Sequence, residues 1–296
     1  MLSSIRVPAS WLLPLAPVAV GSALFAAPVL SAPAGTDHTD ERAAIERAVL
    51  DYAEAYYEVK PEYVERGIHR ELVKAGYLLK DDGTLEIKPM DFDGFMSMVQ
   101  WFVDQERVPE PGPKEVEILD ALDQTALVKL TGSWGVDYMQ LAKFDGRWQT
   151  RHVIWQRAPR PRSDAQTTED HAAIERAGLD YIEAFYDVKP DLAKRSVHPG
   201  MTKLGFWREE VTDPYKATAM TYERLLSLSA EWNAKGELAS DAPKKVEILD
   251  TMDHTACLKV TAEWGTDYMH LVKEDGVWRI LQILWQSPVV EAGSEG

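Results

Sequence analysis

Two histidines, two lysines and two Asp-Tyr pairs occupy matching places in this 296-residue chain. His69 is followed by Lys74 and His198 by Lys203, while Asp137-Tyr138 and Asp267-Tyr268 each come just after a tryptophan, Trp134 or Trp264. An imidazole titrating near neutrality, a carboxylate to orient it or act as base, and a phenol to donate to a developing oxyanion are the parts of a proton-transfer site. His198 and Asp267 are therefore the candidate catalytic pair, and His69, Asp137, Trp134, Tyr186, Phe206, Trp207 and Trp264 the candidate ligand-binding residues. Each also has a purely structural reading. A histidine before proline caps a short helix or bonds a carbonyl in a turn, a carboxylate after Trp-Gly satisfies turn amides, and strand tryptophans fill cores. Neighbouring Asp and Tyr on one strand face opposite sides, so both line one pocket only across a bulge. Cys257 is the only cysteine and is expected as a buried thiol; no Cys/His spacing resembles a zinc site, and no cofactor is expected.

The elements that position these residues are written twice. Trp134-Gly135-Val136-Asp137-Tyr138-Met139, Asp145-Gly146-Arg147-Trp148 and Trp155-Gln156 return as Trp264-Gly265-Thr266-Asp267-Tyr268-Met269, Asp275-Gly276-Val277-Trp278 and Trp285-Gln286, at an offset of 130. Upstream, Ala43-Ala44-Ile45-Glu46-Arg47-Ala48 and Leu50-Asp51-Tyr52 return as Ala172-Ala173-Ile174-Glu175-Arg176-Ala177 and Leu179-Asp180-Tyr181, at an offset of 129. The chain is one domain duplicated in tandem.

Within copy one, Ile45, Ala48, Val49, Tyr52, Ala55 and Tyr56 form the stripe of an amphipathic helix, with Glu46, Arg47, Asp51 and Glu54 outside, ending at Lys60-Pro61. Pro61 opens a short helix to about Gly67; Gly76 to Pro89 reads as a loop or small hairpin; and Asp91 caps a third, very apolar helix. Four strands follow at about 114–122, 125–135, 137–144 and 147–156, joined by turns such as Asp145-Gly146 into an antiparallel meander. In copy two Ile280 and Leu284 are expected on one strand face and Leu281, Ile283 and Trp285 on the other, so both faces are apolar. The second face calls for a cover, and the two copies are expected to pack sheet to sheet as an internal pseudo-dimer. The fold class is α+β: two tandem cone-shaped domains, each with three helices on a bent antiparallel meander.

The segmentation is a signal peptide over 1–34, a first domain over 38–157, a Pro/Arg linker over 158–167, a second domain over 168–287 and a disordered tail over 288–296. The linker arginines read as a solvated tether, and Thr167 as the cap of the next helix. The apolar run Trp11 to Leu30 after Arg6, with small residues at Ser31-Ala32-Pro33-Ala34, is a secretory pattern; cleavage leaves no stable membrane anchor and puts the protein outside the cell or in a periplasm. A formal charge of −16 argues against nucleic-acid partners.

Leu179-Asp180-Tyr181-Ile182-Glu183-Ala184-Phe185-Tyr186, His198-Pro199, Val246-Glu247-Ile248-Leu249-Asp250, Trp264 to Met269 and Asp275-Gly276-Val277-Trp278 to Trp285-Gln286 resemble the nuclear transport factor 2-like superfamily. The resemblance is greatest to its putative lumazine-binding (SnoaL-like) branch and covers nearly all of 40–157 and 168–287. It implies a cone with a pocket between sheet and helices, used in relatives for small-molecule binding or for isomerase, dehydratase or cyclase chemistry. Copy one departs from it with Arg70 where copy two has Pro199. Three functions are compatible with these residues: binding of an unidentified small molecule, cofactor-free acid-base catalysis, or an interaction protein with filled cones. The site is expected in copy two.

Overall fold

The computed structural model describes residues 38–79, 85–157, 159–210 and 212–288. The proposed signal segment, Asp81-Asp82-Gly83 and nearly all of the C-terminal tail lie outside the described residues. Copy one contains α1 (His38–Tyr57), α2 (Pro61–Gly67), β1 (Ile68–Leu79), β2 (Leu85–Met90), α3 (Phe92–Asp104), β3 (Glu115–Ala121), β4 (Thr125–Gly132), β5 (Gly135–Phe144) and β6 (Arg147–Gln156). Copy two repeats the order with α4 (Asp164–Tyr186), α5 (Pro190–Ser196), β7 (Val197–Trp207), β8 (Lys216–Met220), α6 (Tyr222–Glu231), β9 (Lys244–Thr251), β10 (Thr255–Ala262), β11 (Gly265–Glu274) and β12 (Val277–Gln286). The α+β class and the tandem cones hold.

Each sheet has six strands, in the orders β2-β1-β6-β5-β4-β3 and β8-β7-β12-β11-β10-β9. The last four strands of each copy are the expected meander. β1 and β2 are the two arms of the small hairpin expected over Gly76 to Pro89, pairing antiparallel; the structure adds that β1 begins at Ile68 and pairs parallel with β6, and β7 does the same with β12 and β8. Asp145 and Gly146 both take positive φ, 50° and 75°, as the tight turn between right-twisted strands requires.

Helix ends follow local chemistry. Asp91 accepts from Gly94 N at 2.8 Å, and Thr221 from Arg224 N at 3.2 Å. The second long helix is capped earlier than Thr167, by a Ser163–Gln166 capping box. Arg162 is not a free tether residue: it donates to Asp170 at 3.0 Å and to the Thr251 carbonyl at 3.1 Å. Asp51, expected outside, is buried, because Arg66 of α2 grips it with two bonds of 2.6 and 2.5 Å; Arg195 and Asp180 repeat the clamp. A buried carboxylate is tolerated when a guanidinium satisfies it, and the pair fixes each short helix to its long one.

Three hydrophobic clusters result. One fills the first cone with Ile45, Val49, Tyr52, Phe95, Met139 and Trp148; a second fills the second cone with Ile174, Tyr181, Phe185, Trp207, Leu225 and Trp285. The third lies between the sheets and mixes both copies: Tyr77, Leu127, Tyr138 and Ile154 with Phe206, Cys257, Tyr268 and Leu284. Contacts across it are reciprocal, as a two-fold relation demands. Gln286 accepts from Thr125 Oγ1 at 3.0 Å and Gln156 from Thr255 Oγ1 at 2.8 Å; Lys129 meets Asp250 and Lys259 meets Asp120, both at 2.5 Å. A bulge between Ile280 and Gln282 changes the expected alternation: Ile280 joins Ile283 and Trp285 in the cone, and Leu281 joins Leu284 between the sheets.

Candidate functional site

The site is set by the turn that begins β5. Gly135 has φ +137°, and a Cβ there would lie 2.2 Å from the Gln156 carbonyl, so only glycine allows the chain to turn this close to β6. Gly265 repeats this at φ +121°. The turn folds the preceding tryptophan back over the strand, and Trp134 Nε1 donates to Asp137 Oδ2 at 2.5 Å.

Asp137 is wholly buried on the cone face of β5 and collects two further groups. Lys74 of β1 reaches its Oδ1 at 2.7 Å, and the Tyr52 hydroxyl of α1 donates to the same oxygen at 3.2 Å. Lys74 also contacts the Tyr52 hydroxyl. Burial, then the Asp137 charge, pushes the Tyr52 phenol well up, so it stays protonated. Copy two has the same quartet: Trp264 donates to Asp267 Oδ2 at 2.6 Å, and Lys203 bonds Asp267 at 2.7 Å and Tyr181 at 2.6 Å. Burial lowers the Lys203 pKa against the pull of Asp267.

The copies differ in what lies above the quartet. In copy one a cavity of about 280 Å³ opens beside it, lined by Tyr52, Tyr56, Phe95, Met98, Trp134 and Trp155, with Lys74 at its base and Lys88, Pro89 and Met90 of β2 along the edge. In copy two Lys203 is 2% exposed against 11% for Lys74, and the counterparts Phe185, Leu228, Trp264 and Trp285 are buried core residues. One substitution accounts for much of this. Lys74, Gly76 and Leu78 alternate onto the cone face of β1, as Lys203, Gly205 and Trp207 do on β7. Trp207 is buried in the second cone and its Nε1 donates to Thr218 Oγ1 at 3.2 Å; Thr218 holds the register place that Lys88 holds in copy one. An indole therefore packs where copy one has only Leu78.

The candidate residues are distributed accordingly. His198 and Asp267 are not brought together: His198 accepts from Gly200 N at 2.9 Å and pairs with Glu274 at 3.3 Å, at the opposite end of β11 from Asp267, while Asp267 is taken by Lys203. The pair expected to carry catalysis is thus replaced by Lys203–Asp267. His69 stacks on Phe144 at 3.8 Å on the outer turn, with burial lowering its pKa. Phe206 faces the other sheet rather than a pocket. Tyr186 stacks on Trp232, donates to the Pro243 carbonyl at 2.6 Å and takes no part in the first cavity. Trp207 and Trp264 are core of the second cone, and only Trp134 and Asp137 belong to the open site. Asp137 and Tyr138 do face opposite sides, cone and intersheet cluster. Tyr52, Tyr56, Phe95, Met98 and Trp155 were missed as wall residues; the signal for Lys74 was its repetition in Lys203 at the same 129-residue offset as Tyr52 and Tyr181.

Fold and site together define a duplicated α+β cone with a charged quartet at the base of each cone and open space above one of them. The chain belongs to the putative lumazine-binding family, whose model matches residues 40–156 and 169–286. Among solved structures it is similar to an NTF-2 like protein of unknown function from Silicibacter pomeroyi, at 15% identity over 40% of this chain and 97% of that one, with a TM-score of 0.32. An NTF2-like protein of unknown function from Shewanella baltica gives 17%, 40%, 95% and 0.31. A putative scytalone dehydratase from Novosphingobium aromaticivorans gives 15%, 39%, 83% and 0.28. No curated protein matches the chain.

Proposed function

We propose that the chain is a small-molecule binding protein whose first cone takes the ligand and whose second cone is structural. The supporting observation is the cavity of about 280 Å³ over the Lys74–Asp137–Tyr52–Trp134 quartet, mostly apolar and aromatic with a few convergent polar groups, the usual composition of a ligand site. Asp137 accepts from three donors, which suits a fixed anchor better than a general base that must give up its lone pairs. The reading includes export to a periplasm or the cell exterior, from the apolar run after Arg6, and a pseudo-dimer of the two copies as a permanent scaffold.

Lumazine, named in the family's description, is a flat bicyclic ring with carbonyl acceptors, and is the first molecule to test against such walls. Titrating the protein with lumazine while following tryptophan fluorescence should show saturable quenching from Trp134 and Trp155. Leu78→Trp copies the filling residue of the second cone and should abolish the quenching without unfolding the chain. Undiminished binding in Leu78→Trp would remove the first cone as the site.

A further inference from the structure

We infer that the ligand of the first cone is an organic anion, an aromatic or apolar body carrying a carboxylate or similar acidic group; the inference rests on the binding role proposed for that cone. The chain has 48 acidic residues against 32 basic ones, yet among the described residues the only charged side chains lining this cavity are the lysines Lys74 and Lys88. Lys74 sits at the base and is 11% exposed; Lys88 sits at the edge and is 58% exposed. The base is not a bare cation. The Lys74 charge is matched by Asp137, but an ammonium has three N–H donors, and its bonds to Asp137 and Tyr52 use two. A ligand oxygen can accept the third.

Trp155 marks a difference between the two cones. Its indole lines the cavity, and its Nε1 is buried with no acceptor among the described residues. The counterpart in the filled cone, Trp285, donates to the Trp264 carbonyl at 3.0 Å. Among the described residues the open cavity is thus lined by two cations and no carboxylate. A neutral hydrocarbon would leave the third N–H of Lys74 desolvated and unpaired, which is costly; an anionic oxygen satisfies it, and Lys88, held only by a long, exposed pairing with Glu86 at 3.7 Å, can turn to the ligand at the mouth. Lys88 also gives the site a local attraction for anions on a surface whose overall charge repels them.

Calorimetric titration of the intact protein with 2-naphthoate and with 2-naphthamide, which have the same ring system and differ in charge, tests the inference. The naphthoate should bind about tenfold more tightly at low salt, as a charge-assisted hydrogen bond in a partly dry site implies. Lys88→Gln, a change at an exposed side chain that leaves the fold alone, should reduce naphthoate affinity severalfold, leave the amide unchanged and flatten the salt dependence. Equal affinity for the two probes overturns the anion preference and leaves the binding role standing. Failure of both to bind at millimolar concentration, with an unchanged thermal transition, overturns the binding role and the preference with it.

Discussion

The Lys203–Asp267 pair is the point at which a single residue decides between chemistry and structure. Both side chains are buried, and Trp264 and Tyr181 complete the set. Removing one member of a buried pair leaves an uncompensated charge, whereas removing both leaves a cavity but no charge. Asp267→Ala should therefore cost about 3–5 kcal/mol in urea unfolding, and Asp267→Leu combined with Lys203→Met should recover most of that loss. Equal losses in the single and double variants would mean that packing, not charge, holds the second cone. The residue types of this quartet were legible in the sequence because duplication displayed each of them twice. Their partnership was not. His198 looked the better partner for Asp267 from chemistry alone, since a histidine titrates near neutrality, but five residues of strand separate it from the lysine that reaches the carboxylate.

That separation belongs to an element the sequence concealed. Ile68-His69-Arg70-Glu71-Leu72-Val73-Lys74 has no two-residue alternation, because β1 crosses from an exposed turn into the cone and breaks its register with β6 between Ile68 and Val73. Helices and meander strands were legible where the apolar period was clean: α2 begins at the expected proline and α3 just after the expected aspartate, and β3 to β6 fall within a few residues of their expected limits. The bulge at Leu281 escaped for the reason that β1 did, since a two-residue period cannot report an inserted residue. The same elements carry the difference between the cones. Trp207→Leu should convert β7 to the copy-one state, opening space above Lys203. Deleting most of a buried indole costs about 2–5 kcal/mol, measured as a shift in the urea midpoint, and the variant should gain a second binding site for lumazine or 2-naphthoate. An unchanged stoichiometry at reduced stability would show that other side chains also close the second cone.

At the scale of the molecule, duplication made the tandem architecture legible, while the polar centre of the contact between the sheets was not foreseen. His152 and His270 meet Gln140 and Gln282 through Nδ1, each at 2.8 Å. The glutamine amides are committed across the contact, Gln140 Nε2 to the Tyr268 carbonyl and Gln282 Nε2 to the Val73 carbonyl, both at 2.9 Å. Each glutamine therefore turns its oxygen to the imidazole, so each Nδ1 carries the hydrogen and each Nε2 is a bare acceptor, buried and unpaired among the described residues. Protonation would add a buried N–H with nothing to receive it. Burial accordingly pulls the His270 pKa down to about 4 and that of His152 down as well, where Arg151, His270 and His69 add to the effect. The sign follows directly: near neutrality both folded and unfolded chains carry neutral imidazoles, but as the pH falls below about 6.5 only the unfolded chain takes up the proton. Stability present above 6.5 is lost progressively down to about 4, where the folded His270 also protonates, and the loss through this residue is roughly 3 kcal/mol. Urea midpoints measured from pH 7.5 to pH 4.5 should fall steeply in the native protein and less steeply in His270→Asn, which keeps a side-chain amide but cannot titrate. Parallel pH profiles for the two proteins would remove the buried histidine from the acid response.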